Sequence, residues 1–514
     1  MRLVWSLRGG LVAMITMSPS LAVAEPAPDA RPPVLSAHDW ALLNRVSWGA
    51  SASGAADMAA LGPRRWLEHQ LHPSPADRLP AQVQQEIDAL PVSTTPMAVL
   101  VVDLDAQRKA AAQIADPDQK KAALQAYQQA MNDLGRQAAA RSLLRDLYSP
   151  DQLQEQMTWF WANHFNVHMH KRDIRAMIGD YEDQAIRPHA LGRFRDLLEA
   201  TLRHPAMLRY LDNDQNASGR INENYAREIM ELHTMGVGSG YSQKDVQELA
   251  RILTGVGVSQ SPDPPRLRPA YQPLYVRAGL FEFNPNRHDF GDKVFLGHAI
   301  RGSGFAEVEQ ALDILARQPA TARHISLELA TYFVGDHPPP ALVDAMAQTF
   351  QRTDGDIAAV LKTLFASRPF DASLGGAFKD PVHYAVSAVR LAYDGQEVLN
   401  TQPLQAWLNR MAEGLYNHET PDGYPMTSDA WNGPGQMAVR FEIARQIGSG
   451  APALFRQDGQ PPAVRPGPPQ LQAVVYRSGQ DRALGAPTRA ALGQASTPQD
   501  WSALYLSSPE FMRR

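Results

Sequence analysis

The sequence predicts a mainly α fold, a large multi-helix assembly with one small β-hairpin. Three observations lead there. Apolar residues recur at helical spacing through most of the 514 residues. Forty prolines, together with Ser, Thr, Asp and Gly caps, cut that pattern into segments of ordinary helix length. Only two stretches, 274–283 and 293–296, read as strands, with the turn-rich FNPNRHDFGD between them.

The elements follow in order. Ser36 to Asp39 can cap a helix carrying Leu42, Leu43 and Val46, and Gly62-Pro63 opens a second with Trp66, Leu67 and Leu71. Residues 97–148 are rich in Ala, Gln and Leu, and Pro117 divides them into two long helices. Pro150-Asp151 opens a helix carrying TWFWANHFNVHMH, which is apolar almost all round and therefore buried. Helices are expected at 174–187, 194–203, 222–235 and 243–254. A loop insertion rich in proline follows at 259–273. Helices resume at 305–317, 320–333, 340–352, 355–367, 381–393, 402–413 and 428–447. A Pro/Gly-rich linker at 457–469 precedes two short closing helices.

The first 24 residues form a segment of their own. Arg2 and Arg8 give a positive start, residues 9–17 are largely apolar, and Ala22-Val23-Ala24 is a small-residue cleavage pattern. This is a secretory signal peptide with cleavage after Ala24, and it places the mature protein in the periplasm or outside the cell. Residues 25–35 form a linker, and 36–514 a single domain. Cleavage removes two arginines and no acid, taking the formal charge from -5 to -7. A mildly acidic chain has no global attraction to nucleic acid, and no later segment is apolar for long enough to span a bilayer. The absence of cysteine excludes disulfides, thiolate metal sites and cysteine nucleophiles.

Chemistry concentrates in a few segments. NENYAREIMELHTMG (222–236) places Tyr225, Ala226, Ile229, Met230 and Leu232 on one arc of a helical wheel. Glu223, Arg227 and Glu231 are spaced i,i+4 on the other side, an ordinary ion-pair ladder. Glu223 and Glu228 flank the apolar arc, and His233 lies within it as a core histidine whose ring nitrogens need hydrogen-bond partners. His164 and His168 also stand at i,i+4, a spacing that offers two imidazoles to a metal, although no carboxylate ligand or H-E-x-x-H accompanies them. NRHDFGDK (286–293) gathers His288, Asp289, Asp292 and Lys293 in a loop. Asp212, Asp214, Asn216, Ser218 and Glu223 match EF-hand positions. Ala217 replaces the turn glycine there, which argues against calcium.

Seven segments recur in the same order in one bacterial family: WFWANHFNV, HPAMLRYLDN, NENYAREIMELHTMGV, GYSQKDVQELARILTG, HDFGDKVFLG, TDGDIAAVLKTLFASRPF and GYPMTSDAW. The chain resembles that family, catalogued as domain of unknown function 1800, from Ser36 to its C-terminus. The resemblance singles out Asn163, His164, Asn222 to Glu228, Arg251 and His288 to Lys293. It also implies export and a co-exported, sulfatase-like protein partner. His168 lies outside its pattern.

Two readings follow. In one, an exported, hydrolase-like enzyme uses Glu223, Glu228, His164, His288 and Asp289 for catalysis, with Asn163, Asn222, Arg227, Arg251 and Lys293 as binding groups. In the other, a non-catalytic scaffold or chaperone serves the co-exported partner, and the same residues lock helix to loop. Convergence of Glu223, Glu228, His164 and His288 on one open pocket would favour the first; separate pairing in a closed interior would favour the second.

Overall fold

The computed structural model describes residues 35–74, 78–456 and 467–514. The segment expected to be a signal peptide, nearly all of the expected 25–35 linker and most of the expected 457–469 linker lie outside these. Among the described residues the fold is mainly α, with short strands in two small antiparallel sheets. No described helix is long and apolar enough to cross a membrane.

Local chemistry sets the helix ends. Ser36 accepts from the Asp39 N–H at 3.1 Å and starts Ala37–Val46. Asp116 accepts from Gln119 N at 2.8 Å, so Met97–Gln113 and Pro117–Tyr148 are separate helices, as the proline predicts. A reciprocal capping box between Ser242 and Asp245 opens Gln243–Ile252. Gln152–His164 is buried on nearly every face, and its tryptophans sit within one hydrophobic cluster that extends from Leu42 to Met512.

Three elements depart from expectation. The segment 174–187 is not a regular helix. It is a 3-10 turn, one α turn and a π-helical stretch, Tyr181–Ile186. The wide π turn directs Glu182 inward, where its carboxylate takes hydrogen bonds from Tyr416 Oη at 2.6 Å and Ser142 Oγ at 3.2 Å. The segment 428–447 breaks at Gly433-Pro434, leaving a 3-10 turn before Pro434–Gly448. Three helices, not two, close the chain: Leu471–Ser478, Ala486–Leu492 and Pro498–Leu506.

The expected single hairpin is two structures. Strands β1 (Val256–Val258), β2 (Val276–Ala278) and β3 (Phe281–Phe283) form one sheet in the order β1-β3-β2, with Val256 and Val276 both opposite Phe283. Strands β4 (Lys293–Phe295) and β5 (His298–Ile300) form the other. Between them Leu296 and Gly297 both take positive φ, 47° and 81°, the conformation of a tight two-residue hairpin turn. The pleat then points Lys293 and Phe295 into the interior and leaves Val294 exposed.

Candidate functional site

The motif helix is shorter than its apolar pattern suggests. It spans Asn224–Glu231. Beyond Glu231 the turns widen, with His233 N donating to Glu228 O at 3.2 Å and Met235 N to Met230 O at 3.0 Å. Gly236, at φ +87°, then turns the chain where a side chain would meet the His324 ring at 3.2 Å. The ladder forms as its spacing predicts, with Glu223–Arg227 and Arg227–Glu231 each at 3.3 Å. Gln243 joins it, accepting from Arg227 at 2.9 Å and donating to Glu223 at 2.7 Å. The ladder therefore fastens two helices and stays at the surface. Glu228 is half-buried; burial first, then the Glu231 and Asp422 charges, raises its pKa against the pull of Arg227.

His164 ends its helix, and both ring nitrogens are engaged. Nδ1 lies 2.6 Å from Glu328 Oε2, and Nε2 lies 3.1 Å from the His233 carbonyl. Burial pushes the Glu328 carboxyl upward, but His164, and then His324, outweigh it and hold its pKa below the ordinary value. His233 packs against Phe165 and His164, with ring centroids at 5.0 and 5.8 Å. It is a core histidine, as expected, but neither ring nitrogen has a hydrogen-bond partner among the described residues. Burial, then His164 and His324, drives its pKa well below normal, so it is a neutral ring.

His288 belongs to a second, closed node. Its Nε2 lies 2.8 Å from Glu307 Oε1 and its Nδ1 2.7 Å from the Thr254 carbonyl. Lys293 donates to the other Glu307 oxygen and to the Asp289 carbonyl. Glu307 also accepts from the backbone N–H of Ser303 and Gly304, at 2.7 and 2.9 Å. The His288, Lys293 and Glu307 side chains have no solvent exposure. Burial pulls the Glu307 pKa up; the His288 and Lys293 hydrogen bonds overcome it and leave it lowered. Asp289 does not pair with its neighbour His288. It takes Arg251 Nε at 2.8 Å, and this contact first of all depresses its pKa. Arg251 also reaches Glu248 at 2.9 Å.

The remaining motif residues bind backbone. Asn163 Nδ2 donates to the Tyr424 carbonyl at 2.9 Å, while its Oδ1 accepts the Tyr424 N–H at 2.6 Å. Gly423 (φ +71°) passes so close that a Cβ there would fall 2.3 Å from the Asn163 carbonyl. Asn222 donates to the Asp212 carbonyl at 3.2 Å and accepts from Asn224 N at 3.0 Å, shaping the turn into the motif helix.

The structure thus sends the proposed catalytic group to different partners. His164 goes to Glu328, Glu223 to the surface ladder, His288 to Glu307, and Asp289 to Arg251. The metal spacing of His164 and His168 does not hold as helix geometry. The helix stops at His164, and His168 lies beyond it against His170, with ring centroids at 5.3 Å. Among the described residues no group of three or more His, Asp or Glu is placed to hold a metal. Two carboxylates of the calcium-like loop are engaged by cations, Asp212 by Lys171 and Asp214 by Arg172, both at 2.9 Å.

Several partners escaped the sequence reading. Glu307 had a local signal, as the third residue of Phe305–Arg317 reaching back to its N-cap. His324 and Glu328, at i,i+4, had one too. A third cluster went unnoticed. Asp380 caps Pro381–Ala392 and holds His383 Nδ1 at 2.6 Å. Tyr332 Oη lies 3.3 Å from His383 Nε2, and Arg514 also meets that nitrogen. Burial and then Arg514 push the His383 pKa down to about 4, against Asp380.

No curated protein and no solved structure matches the chain. One family model does, described as "Protein of unknown function (DUF1800)", and it matches residues 41–513. That span contains the Asn163–Tyr424 contact, the ladder, the His164 and His288 clusters and all of the His383 cluster except Arg514, and the chain belongs to the DUF1800 family.

Proposed function

We propose that the family-motif residues form a non-catalytic frame, and that this exported protein serves as a rigid helical scaffold for a co-exported partner. The observation that carries the reading is the His288–Lys293–Glu307 node. Its charges are mutually neutralised, hydrogen-bonded and without solvent exposure, so it holds a loop in place and offers no reacting atom to a substrate. The Asn163–Tyr424 clasp and the Arg227 ladder do the same for two other connections. Export rests on the signal-peptide pattern, and the sulfatase-like identity of the partner on the family resemblance.

The test is to co-express the chain with the sulfatase-like protein of the same organism and measure complex formation and partner solubility. Both are expected to fall when His288→Ala loosens the frame. A folded Glu228→Gln or His288→Ala protein that keeps its stability and its partner but loses the cellular phenotype would overturn the scaffold reading. The hydrolytic reading keeps one support, at a place no motif marks.

A further inference from the structure

Lys379 stands one residue before Asp380, the N-cap of the helix Pro381–Ala392, and Ser387 lies two turns into that helix. Both are 2% exposed, and Lys379 Nζ stands 3.0 Å from Ser387 Oγ. They line a cavity of about 220 Å³ between the Ala37–Val46 helix and the C-terminal segment. We propose that Ser387 and Lys379 are a nucleophile–base pair that hydrolyses carboxylic esters of short, apolar acyl groups in this cavity. This goes beyond the scaffold reading and does not depend on it.

A structural lysine in a protein interior normally meets a carboxylate. Lys379 meets none among the described residues. The adjacent Asp380 spends its carboxylate on the ring and backbone N–H of His383, at 2.6 and 2.7 Å. The contacts of the Lys379 ammonium position are Ser387 and the face of Phe511, whose centroid is 3.9 Å away. Burial, then Arg514 and Arg440, drives its pKa well below the ordinary lysine value, with Asp380 the sole opposing charge. Lys379 Nζ is thus held against a serine hydroxyl in a place that disfavours its charged form, the arrangement that lets lysine act as a general base. Ser387 Oγ accepts from Lys379 Nζ at 3.0 Å and donates to the Tyr384 carbonyl at 3.1 Å; in the proposed step the lysine, once neutral, offers its lone pair to the Ser387 proton instead.

The chemistry balances with water as the second substrate. Ser387 Oγ bonds to the acyl carbon as its proton passes to Lys379 Nζ. The ester C–O bond breaks, and the departing alkoxide takes that proton and leaves as an alcohol. Water then attacks the acyl-serine while giving a proton to Lys379. The acyl–Oγ bond breaks, the proton returns to Ser387, and a carboxylic acid departs. Asn44 lines the same cavity and donates an amide N–H to the Arg513 carbonyl at 3.3 Å. Trp40, Leu391, Leu484 and Phe511 form the apolar wall, and the volume admits a short acyl chain only.

The test uses the purified full chain with p-nitrophenyl butyrate, p-nitrophenyl palmitate and a fluorophosphonate probe. Expected are butyrate hydrolysis in preference to palmitate, covalent labelling at Ser387 read by peptide mass spectrometry, and a rate that rises with pH through a group titrating far below a free lysine. Ser387→Ala, a smaller side chain beneath Gly49, keeps the fold and loses labelling together with roughly 10³-fold or more of the turnover. Wild-type protein that is neither labelled at Ser387 nor able to hydrolyse butyrate overturns the proposal. So does a Ser387→Ala protein with undiminished activity, a pH profile flat from acid to alkaline, or a preference for palmitate.

Discussion

His288 Nε2 sits 2.8 Å from Glu307 Oε1, an imidazole and a carboxylate that are both without solvent exposure. Lys293 fills the other oxygen of the same carboxylate. Removing one member of such a set leaves an uncompensated charge inside the protein. Lys293→Met is therefore expected to cost about 3–5 kcal/mol, measured by urea unfolding. Because the folded Glu307 pKa is lowered, its contribution is present above the unfolded carboxylate pKa and is lost as pH falls through the folded value. An acid titration of wild type against Glu307→Gln should show that difference; parallel curves would refute it.

His233 pays the desolvation of two ring nitrogens with no partner among the described residues. His233→Met should stabilise the protein by about 1 kcal/mol, the lower end of the cost of an unsatisfied buried polar group. Its folded pKa lies below the unfolded one, so only the unfolded chain binds the extra proton as pH drops below the ordinary histidine range. Wild type therefore loses stability there, and the Met variant loses less. Melting temperatures from pH 7 to pH 5 compare the two.

Gly423→Ala forces a side chain into a left-handed backbone and against the Asn163 carbonyl. A loss of about 1–3 kcal/mol is expected from backbone strain alone. Limited proteolysis should then cut within residues 414–431 well before the rest of the chain. Asn163→Ala, which removes both hydrogen bonds to Tyr424, should give the same cleavage pattern.

Glu228 carries a raised pKa in a half-buried position. Its ionised form opposes folding, and stability should increase as pH falls towards its titration. Glu228→Gln is expected to leave the protein at least as stable as wild type at pH 7. A lower melting temperature would show a contact that the ionised carboxylate makes.

Much of the fold was legible because helix limits are local. Ser36, Asp116 and Pro117 stop or start helices through bonds three residues away, and the wheel of 222–236 placed its ladder correctly. The segment 174–187 was not legible, since its π turn follows from Glu182 meeting Tyr416, 234 residues later. The partners of the candidate site residues were hidden for the same reason. The sequence sets His288 beside Asp289 in one loop, whereas its partner is Glu307. Ser387 and Lys379, eight residues apart on no recognisable motif, meet only in the folded chain, where Phe511 of the C-terminal segment covers the lysine.

Arg45, in the first described helix, is fully buried. Its guanidinium donates to the carbonyls of Phe333, Ser373 and Arg514. Burial, then the Arg514 charge, pulls its pKa down to about 9. The opening helix is thus tied to carbonyls that are synthesised hundreds of residues later. Emerging first, it has nothing to close upon, and its cation stays hydrated until the end of the chain arrives. Such a polypeptide is late to lock, however early its first helix is made.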